Sequence, residues 1–175
     1  MTTYQIDPSH SSASFSIRHM MIAKVHGGFE KMSGKFVYDA SSPAKSNIEV
    51  SIETASINTR EAQRDAHLKS ADFFDVEKYP TITFNSNTIE KTNEGYKVVG
   101  ELNIHGVAKQ VTLDMESLSA EVKDPWGNTK MAISGTTKIK RKDFGLTWNA
   151  ALEAGGVLVG DDVSITLDVQ LVKQV

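Results

Sequence analysis

KVVGELNIHGVAKQVTLDME, residues 97–116, holds two apolar–polar alternations back to back. Val98, Gly100, Leu102 and Ile104 alternate with Lys97, Val99, Glu101 and Asn103. Beyond His105-Gly106, Val111, Leu113 and Met115 alternate with Thr112, Asp114 and Glu116. Period two is the signature of a half-buried strand. A short break carrying a glycine is hairpin chemistry. It makes the two strands antiparallel neighbours, because parallel pairs need long crossovers.

The same period recurs on either side. Ala13, Phe15 and Ile17 form one apolar face; Ile48, Val50 and Ile52 another; Ile82 and Phe84 a third. Met131, Ile133, Gly135, Thr137 and Ile139 continue the series, and Val163, Ile165, Leu167, Val169 and Leu171 close it. Asn93-Glu94-Gly95 and Asp124–Asn128 supply further tight breaks. With a strand near 29–38, the pattern predicts eight substantial strands: 12–20, 29–38, 47–55, 81–90, 95–105, 109–121, 130–140 and 162–173. Helix–strand alternation, repeats and linkers are absent, so one all-β domain over 1–175 is expected. Closure into an antiparallel barrel removes the exposed edges of such a sheet. Eight strands leave an interior that side chains fill or that holds one small ligand. Gly100 and Gly135, on apolar faces, fit tight bends or a closely approaching ligand.

Composition narrows the function classes. The 175 residues are 39% hydrophobic and 23% charged, ordinary for a globular chain. A net charge of -3 gives no bulk electrostatic case for nucleic acid. With no cysteine there is no disulfide, thiolate nucleophile or Cys-ligated zinc. The N-terminus MTTYQIDPSH lacks the apolar core and basic lead of a signal peptide, so a cytoplasmic location is expected. A chain whose signal had been replaced by Met1, and which is periplasmic, would read the same.

One stretch departs from period two. Residues 59–70 read as a short helix, with Asn58 as cap, Glu61 completing a capping box, and Glu61–Arg64 and Asp65–Lys69 as surface pairs. Its only apolar residues are Ala62, Ala66 and Leu68, so it must rest on the barrel across an opening, with Leu68, Phe73 and Phe74 as plugs. Arg60, Arg64 and His67 share a face, with Asp72 and Asp75 just beyond. This cluster reads either as acid–base or anion-binding machinery, or as a network fastening a lid through Arg64, Asp65, His67 and Asp72. The second reading is preferred, because structural ion-pair networks look the same in sequence.

Other chemistry is sparse. His10, His19, His26, His67 and His105 form no local metal signature, although a site assembled across the barrel from His19, His67 and His105 is conceivable. Ser33 and Ser134 precede glycines outside any nucleophile elbow. Gly27-Gly28 and Gly155-Gly156 read as loop positions. Lys138–Lys142 reads as a solvated basic strand end, with attraction to an anionic head group or membrane as the alternative.

The ordered segments YQIDPSHSSASFSIRHM, KVHGGFEKMSGKF, INTREAQRDAHLKSADFFDVEKYPTITF, GELNIHGVAKQVTL, ISGTTKIKRKDFGL and VGDDVSITLDVQL span nearly the whole chain. Together they resemble the YceI-like family of lipocalin-like, polyisoprenoid-binding proteins. The resemblance implies an extended eight-stranded barrel whose interior is a tunnel for a long isoprenoid or acyl chain. It implies no catalytic residues and no cofactor. The expected lining includes Phe15, Ile17, Phe36, Ile48, Val50 and Ile52, then Ile82, Phe84, Leu102, Ile104 and Leu113, and finally Met131, Ile133, Ile165 and Leu167. Phe73, Phe74, Phe144 and Trp148 are expected at the mouth, with Arg64 and His67 near a head group. The expected partner is a polyisoprenoid, isoprenoid quinone or fatty-acyl lipid, held for storage, transport or sequestration. Transient membrane contact and homodimerisation stay open. Two rival readings remain: an enzyme or redox protein acting on a bound quinone through its His residues or the 64–75 cluster, and a solid barrel serving only as a scaffold.

Overall fold

The computed structural model describes residues 1–175. Its strands are β1 (Thr2–Ile6), β2 (Ser12–His19), β3 (Ala23–Phe29), β4 (Met32–Tyr38), β5 (Asn47–Glu53), β6 (Ile57–Asn58), β7 (Thr81–Lys91), β8 (Gly95–Ile104), β9 (Val107–Glu116), β10 (Val122–Lys123), β11 (Thr129–Lys140) and β12 (Val159–Lys173). The one α-helix, α1, is Ala62–Lys69. All strand pairing is antiparallel.

Several segments are halves of one long strand. β1 and β2 lie end to end along the same edge of β12, and β4 and β3 lie end to end along β1 and β2. β5 and β6 continue that arrangement on the far side of β4 and β3. With β7, β8, β9, β11 and β12 unbroken, eight walls follow one another in sequence order, and β12 meets both β11 and the β1–β2 wall to close the barrel. β10 is a two-residue ribbon on β11. The closed, eight-stranded antiparallel barrel with one short helix is the architecture read from the period-two pattern.

The differences lie where walls break. The first wall begins at Thr2, not residue 12, and the second at Ala23, not 29. Pro8 has no N–H for the ladder, so β1 ends in a turn at Pro8–His10. Gly27-Gly28 is strand rather than loop. Its lack of side chains makes room, because a Cβ on Gly27 would stand 2.7 Å from the Phe15 ring and from the Thr59 methyl. Gly100 has the same role: a Cβ there would meet the Phe84 ring at 2.5 Å. The space beside that glycine, like that beside Gly135 against Met115, is taken by a neighbouring side chain rather than by a ligand.

Burial is uneven along the barrel. At one end Tyr4, Ile6, Met32, Phe36, Phe84, Ile89, Val98, Leu113, Met131 and Leu171 pack together. That end is finished by polar ties. Tyr4 donates its hydroxyl to Glu121 at 2.6 Å, and Lys173 reaches the same carboxylate at 3.0 Å. Burial, then the Glu121 bond, pushes the Tyr4 phenol up to about 12. A second, smaller cluster of Ile82, Ile104, Phe144 and Leu146 supports the wall near the other end, where the interior is hollow.

Candidate functional site

The hollow end holds a cavity of about 490 Å³. Of its 35 lining residues 26 are hydrophobic, so its chemistry suits an apolar occupant. Val50, Phe84, Leu113, Leu167 and Val169 also line a second cavity of about 80 Å³ within the packed end. These side chains form a floor between the two spaces. The alternation within β5, β7, β9 and β12 explains the lining, because every second residue points inward.

Most of the expected lining residues border the large cavity. They are Phe15, Ile17, Val50, Ile52, Ile82, Phe84, Leu102, Ile104, Leu113, Ile165 and Leu167, together with Arg64, His67, Leu68, Phe73, Phe74 and Trp148 around its entrance. Five are placed elsewhere. Phe36, Ile48 and Ile133 lie beyond the floor and border the small cavity. Met131 is packed into the core of the closed end. Phe144 is a plug rather than a mouth residue, 1% exposed between Ile82, Ile104 and Leu146. Phe144 is expected at the mouth, and inward parity marks only the other four as interior. Parity carries no information about how far along the barrel the hollow runs.

Sequence reading missed other lining residues. Val25 and Phe29 sit on β3, whose alternation Val25–Gly27–Phe29 was hidden by reading the glycines as a loop. Val111, Ile139, Val163 and Val169 stood on recognised apolar faces but were not singled out. Arg141 belongs to the run expected to be a solvated basic strand end, and nothing in that run marks it as internal. Arg141 is 3% exposed, and it donates to the carbonyls of Gly160 (2.8 Å), Leu146 (2.7 Å) and Trp148 (2.9 Å). Burial lowers its pKa, opposed by the nearby Asp161 charge. The basic run 138–142 is therefore no continuous cationic patch: Arg141 is internal, and Lys140 faces Asp162 at 3.6 Å.

The mouth is framed by α1, the 71–80 segment, the loop containing Trp148 and the β2–β3 hairpin, which contributes Arg18 and His19. α1 is shorter than 59–70, so Arg60 lies outside it and shares no helical face with Arg64 and His67. Glu61, not Asn58, is the cap, accepting the N–H groups of Gln63 and Arg64 at 3.2 and 2.6 Å. The expected Glu61–Arg64 and Asp65–Lys69 pairs give way to ties on buried Thr59. Asp65 Oδ1 accepts the Thr59 N–H (2.8 Å) and hydroxyl (2.5 Å). Arg64 donates Nε to the Thr59 hydroxyl oxygen (2.8 Å) and Nη2 to its carbonyl (2.7 Å). A polar helix too short to stand alone is thus fixed by one residue of the preceding strand end.

His67 is fixed from three sides. Nε2 lies 2.8 Å from Asp72 Oδ2, and the ring meets Phe73 and Trp148 edge-on, with centroids 5.1 and 4.8 Å away. Phe74 continues the aromatic wall onto Phe29. His105 packs on Tyr79 instead, and no three His, Asp or Glu side chains stand close enough together to hold a metal ion. The arrangement can admit an apolar chain past an aromatic collar, with Arg64 and His67 among the polar groups at the entrance, beside Arg18 and His19.

Comparison with known proteins agrees with this geometry. The YceI-like domain family model matches residues 4–171. A UPF0312 protein of Serratia proteamaculans is 42% identical over 146 residues, covering 82% of this chain and 76% of that protein. Among solved structures, Burkholderia cenocepacia BcnA superposes with a TM-score of 0.82 at 24% identity, covering 94% of this chain and 98% of that one. A polyisoprenoid binding domain from Saccharophagus degradans superposes with a TM-score of 0.70 at 16% identity, covering 98% of each chain. At those identities the two structures show the shared fold.

Proposed function

This chain belongs to the YceI-like family, and from that premise we propose that its barrel binds one long apolar chain, of polyisoprenoid, isoprenoid-quinone or fatty-acyl type, and shields it from water. The observation that carries the reading is the cavity of about 490 Å³ with its overwhelmingly apolar lining, open at an aromatic mouth. An empty space of that size and polarity costs stability, because its walls lose packing partners. A methylene chain repays the loss at about 0.8 kcal/mol per buried CH₂. The ligand described for the structurally similar Saccharophagus degradans domain lends support to an isoprenoid. Storage, transport or sequestration all follow from reversible shielding of such a chain. Arg64 and His67 are the groups proposed to meet its head group, because they are polar side chains held in place at the entrance by Thr59 and Asp72.

Extraction of the purified protein with chloroform–methanol, followed by mass spectrometry, is expected to release about one long-chain lipid per barrel. A barrel that is empty on purification and refuses isoprenoid and acyl chains added later would refute the proposal. The His67–Asp72 pair at the mouth is the one feature that favours chemistry on a bound quinone. A tightly held chromophore or metal in the purified protein, seen by visible spectroscopy and metal analysis, would move the reading to that alternative.

A further inference from the structure

The tip of the β2–β3 hairpin is built against local preference. Ile22 N–H closes the turn on the His19 carbonyl at 3.3 Å, and the two central residues, Met20 and Met21, both have left-handed backbone, φ 53° and 60°. That turn geometry suits Asn-Gly, and long side chains are disfavoured in it. The chain instead places three large apolar residues there, and they are exposed: Met20 44%, Met21 62% and Ile22 79%. Val157, on the adjoining loop, is exposed as well, and the Met21 thioether lies over Gly156 and joins tip to loop. The other exposed large apolar residues are the two chain ends and the Val122–Trp126 hairpin. The mouth is therefore one of only two places on the folded surface where such residues gather.

A second departure sits directly behind the tip. Arg18 and Lys24 face each other across the ladder, and both are exposed. Like charges directly opposite destabilise a strand pair. Neither has a carboxylate partner, and acids at the start of β12 are engaged elsewhere, Asp161 by the Lys142 N–H and Asp162 by Lys140. Apolar residues at an extremity with unpaired cations one step behind match the depth profile of an anionic bilayer surface: acyl region first, head groups next.

We propose that this hairpin tip docks the barrel on an anionic lipid surface, with Met20, Met21, Ile22 and Val157 entering the interface and Arg18 and Lys24 meeting phosphate groups, so that the mouth opens against the membrane. The proposal rests on the lipid-binding reading above for its purpose. Continuity gives it direction: His19 and Leu158, which flank the tip and its loop, also line the cavity, so an apolar chain passes from bilayer to barrel along covered surface. Both departures from local preference become intelligible as features kept for docking.

The test uses co-sedimentation with vesicles of phosphatidylcholine, with and without phosphatidylglycerol, for the wild-type protein and two variants. Met20→Asn with Ile22→Ser relaxes the turn and removes apolar contact. Lys24→Glu turns the like-charge pair into a favourable Arg18–Glu pair. Each is expected to leave the melting temperature equal or higher while weakening binding to phosphatidylglycerol vesicles. The loss is at least about tenfold for the first and roughly thirtyfold for the second, which removes one cation and adds an anion. A merely structural tip would not move stability and docking in opposite directions. Wild-type protein that ignores anionic vesicles, or variants that bind them as well as wild type, would overturn the proposal. So would a wild-type dimer that the variants dissociate, since the tip would then serve a second copy. Lipid extraction of the same samples keeps the two readings apart: an empty wild-type barrel that still docks refutes chain binding, and a loaded barrel that does not dock refutes only the docking.

Discussion

Asp7 shows how one residue repairs a break that sequence imposes. Pro8 ends β1, and the Asp7 carboxylate gathers the loose ends around it: the Ser9 hydroxyl at 2.7 Å, the Ser9 N–H at 3.1 Å, Gln170 Nε2 at 2.9 Å and His10 Nδ1 at 3.0 Å. Lys130 adds a contact at 3.4 Å, and the side chain is only 13% exposed. The Ser9 hydroxyl bond above all, then His10 and Gln170, hold this carboxyl well below the usual carboxylate range, against the opposing effect of burial. A lowered folded-state pKa stabilises the fold above the unfolded value, near 4, and the benefit disappears as pH falls through the folded value. Asp7→Asn is therefore expected to cost about 1–2 kcal/mol near pH 7. The gap to wild type narrows as pH drops below about 4. Urea unfolding across that range checks it, and a gap that stays constant with pH would remove charge from the explanation. Ser9 and His10 are near neighbours in the chain, but Lys130 and Gln170 are not readable from it. Gln170 is 163 positions away in the chain, and only the closing of β12 onto β1 brings it near.

At the scale of elements, α1 is held by contacts outside itself. It buries no residue fully; its N-terminal end depends on Glu61 and Thr59, and its C-terminal end on Ser70, whose N–H and hydroxyl both donate to the His67 carbonyl. The sequence carried the helix, its weakness and its position at an opening of the barrel. It misjudged the cap and the ion pairs, because Asn58 is spent in β6 and Asp65 turns inward to Thr59. Asp65→Ala leaves the Thr59 N–H and hydroxyl without their acceptor, a loss of about 1–3 kcal/mol. The effect is expected to be local: amide hydrogen exchange should rise across 59–69 with little change in β7, β8 and β9. Equal deprotection of the barrel strands would show that the lid and barrel unfold as one unit.

At the scale of the whole molecule, the barrel is packed at one end, where only a cavity of about 80 Å³ remains, and hollow at the other. The contrast places the two tryptophans usefully. Trp148 lines the cavity mouth against His67 and Phe73, whereas Trp126 is 83% exposed and absent from the cavity lining. Trp126→Phe, a surface change worth within about 0.5 kcal/mol of nothing, leaves Trp148 as the single reporter. Adding an isoprenoid or long acyl chain to stripped protein is then expected to shift Trp148 emission and saturate at about one chain per barrel. Emission that stays unchanged while extraction proves the barrel loaded would place the chain's path away from this mouth.

Period two determined the class of fold, the antiparallel pairing and which side chains face inward, because each is a local property of an extended backbone with one dry face. It also isolated the single helical interruption. It did not carry β1 and β3, since Pro8 and Gly27-Gly28 disguise strands that only their neighbours hold in place. Nor did it carry the division of the interior. Met131, Ile133 and Ile165 share one alternation rule, yet they fall respectively in solid core, small cavity and large cavity. That division is set by how side chains from four walls, β5, β7, β9 and β12, meet at one level of the barrel, with Phe84 lying in the space that Gly100 leaves. Packing of this kind is a sum over residues distant in the chain, so the tertiary structure alone decides where the core ends and the cavity begins.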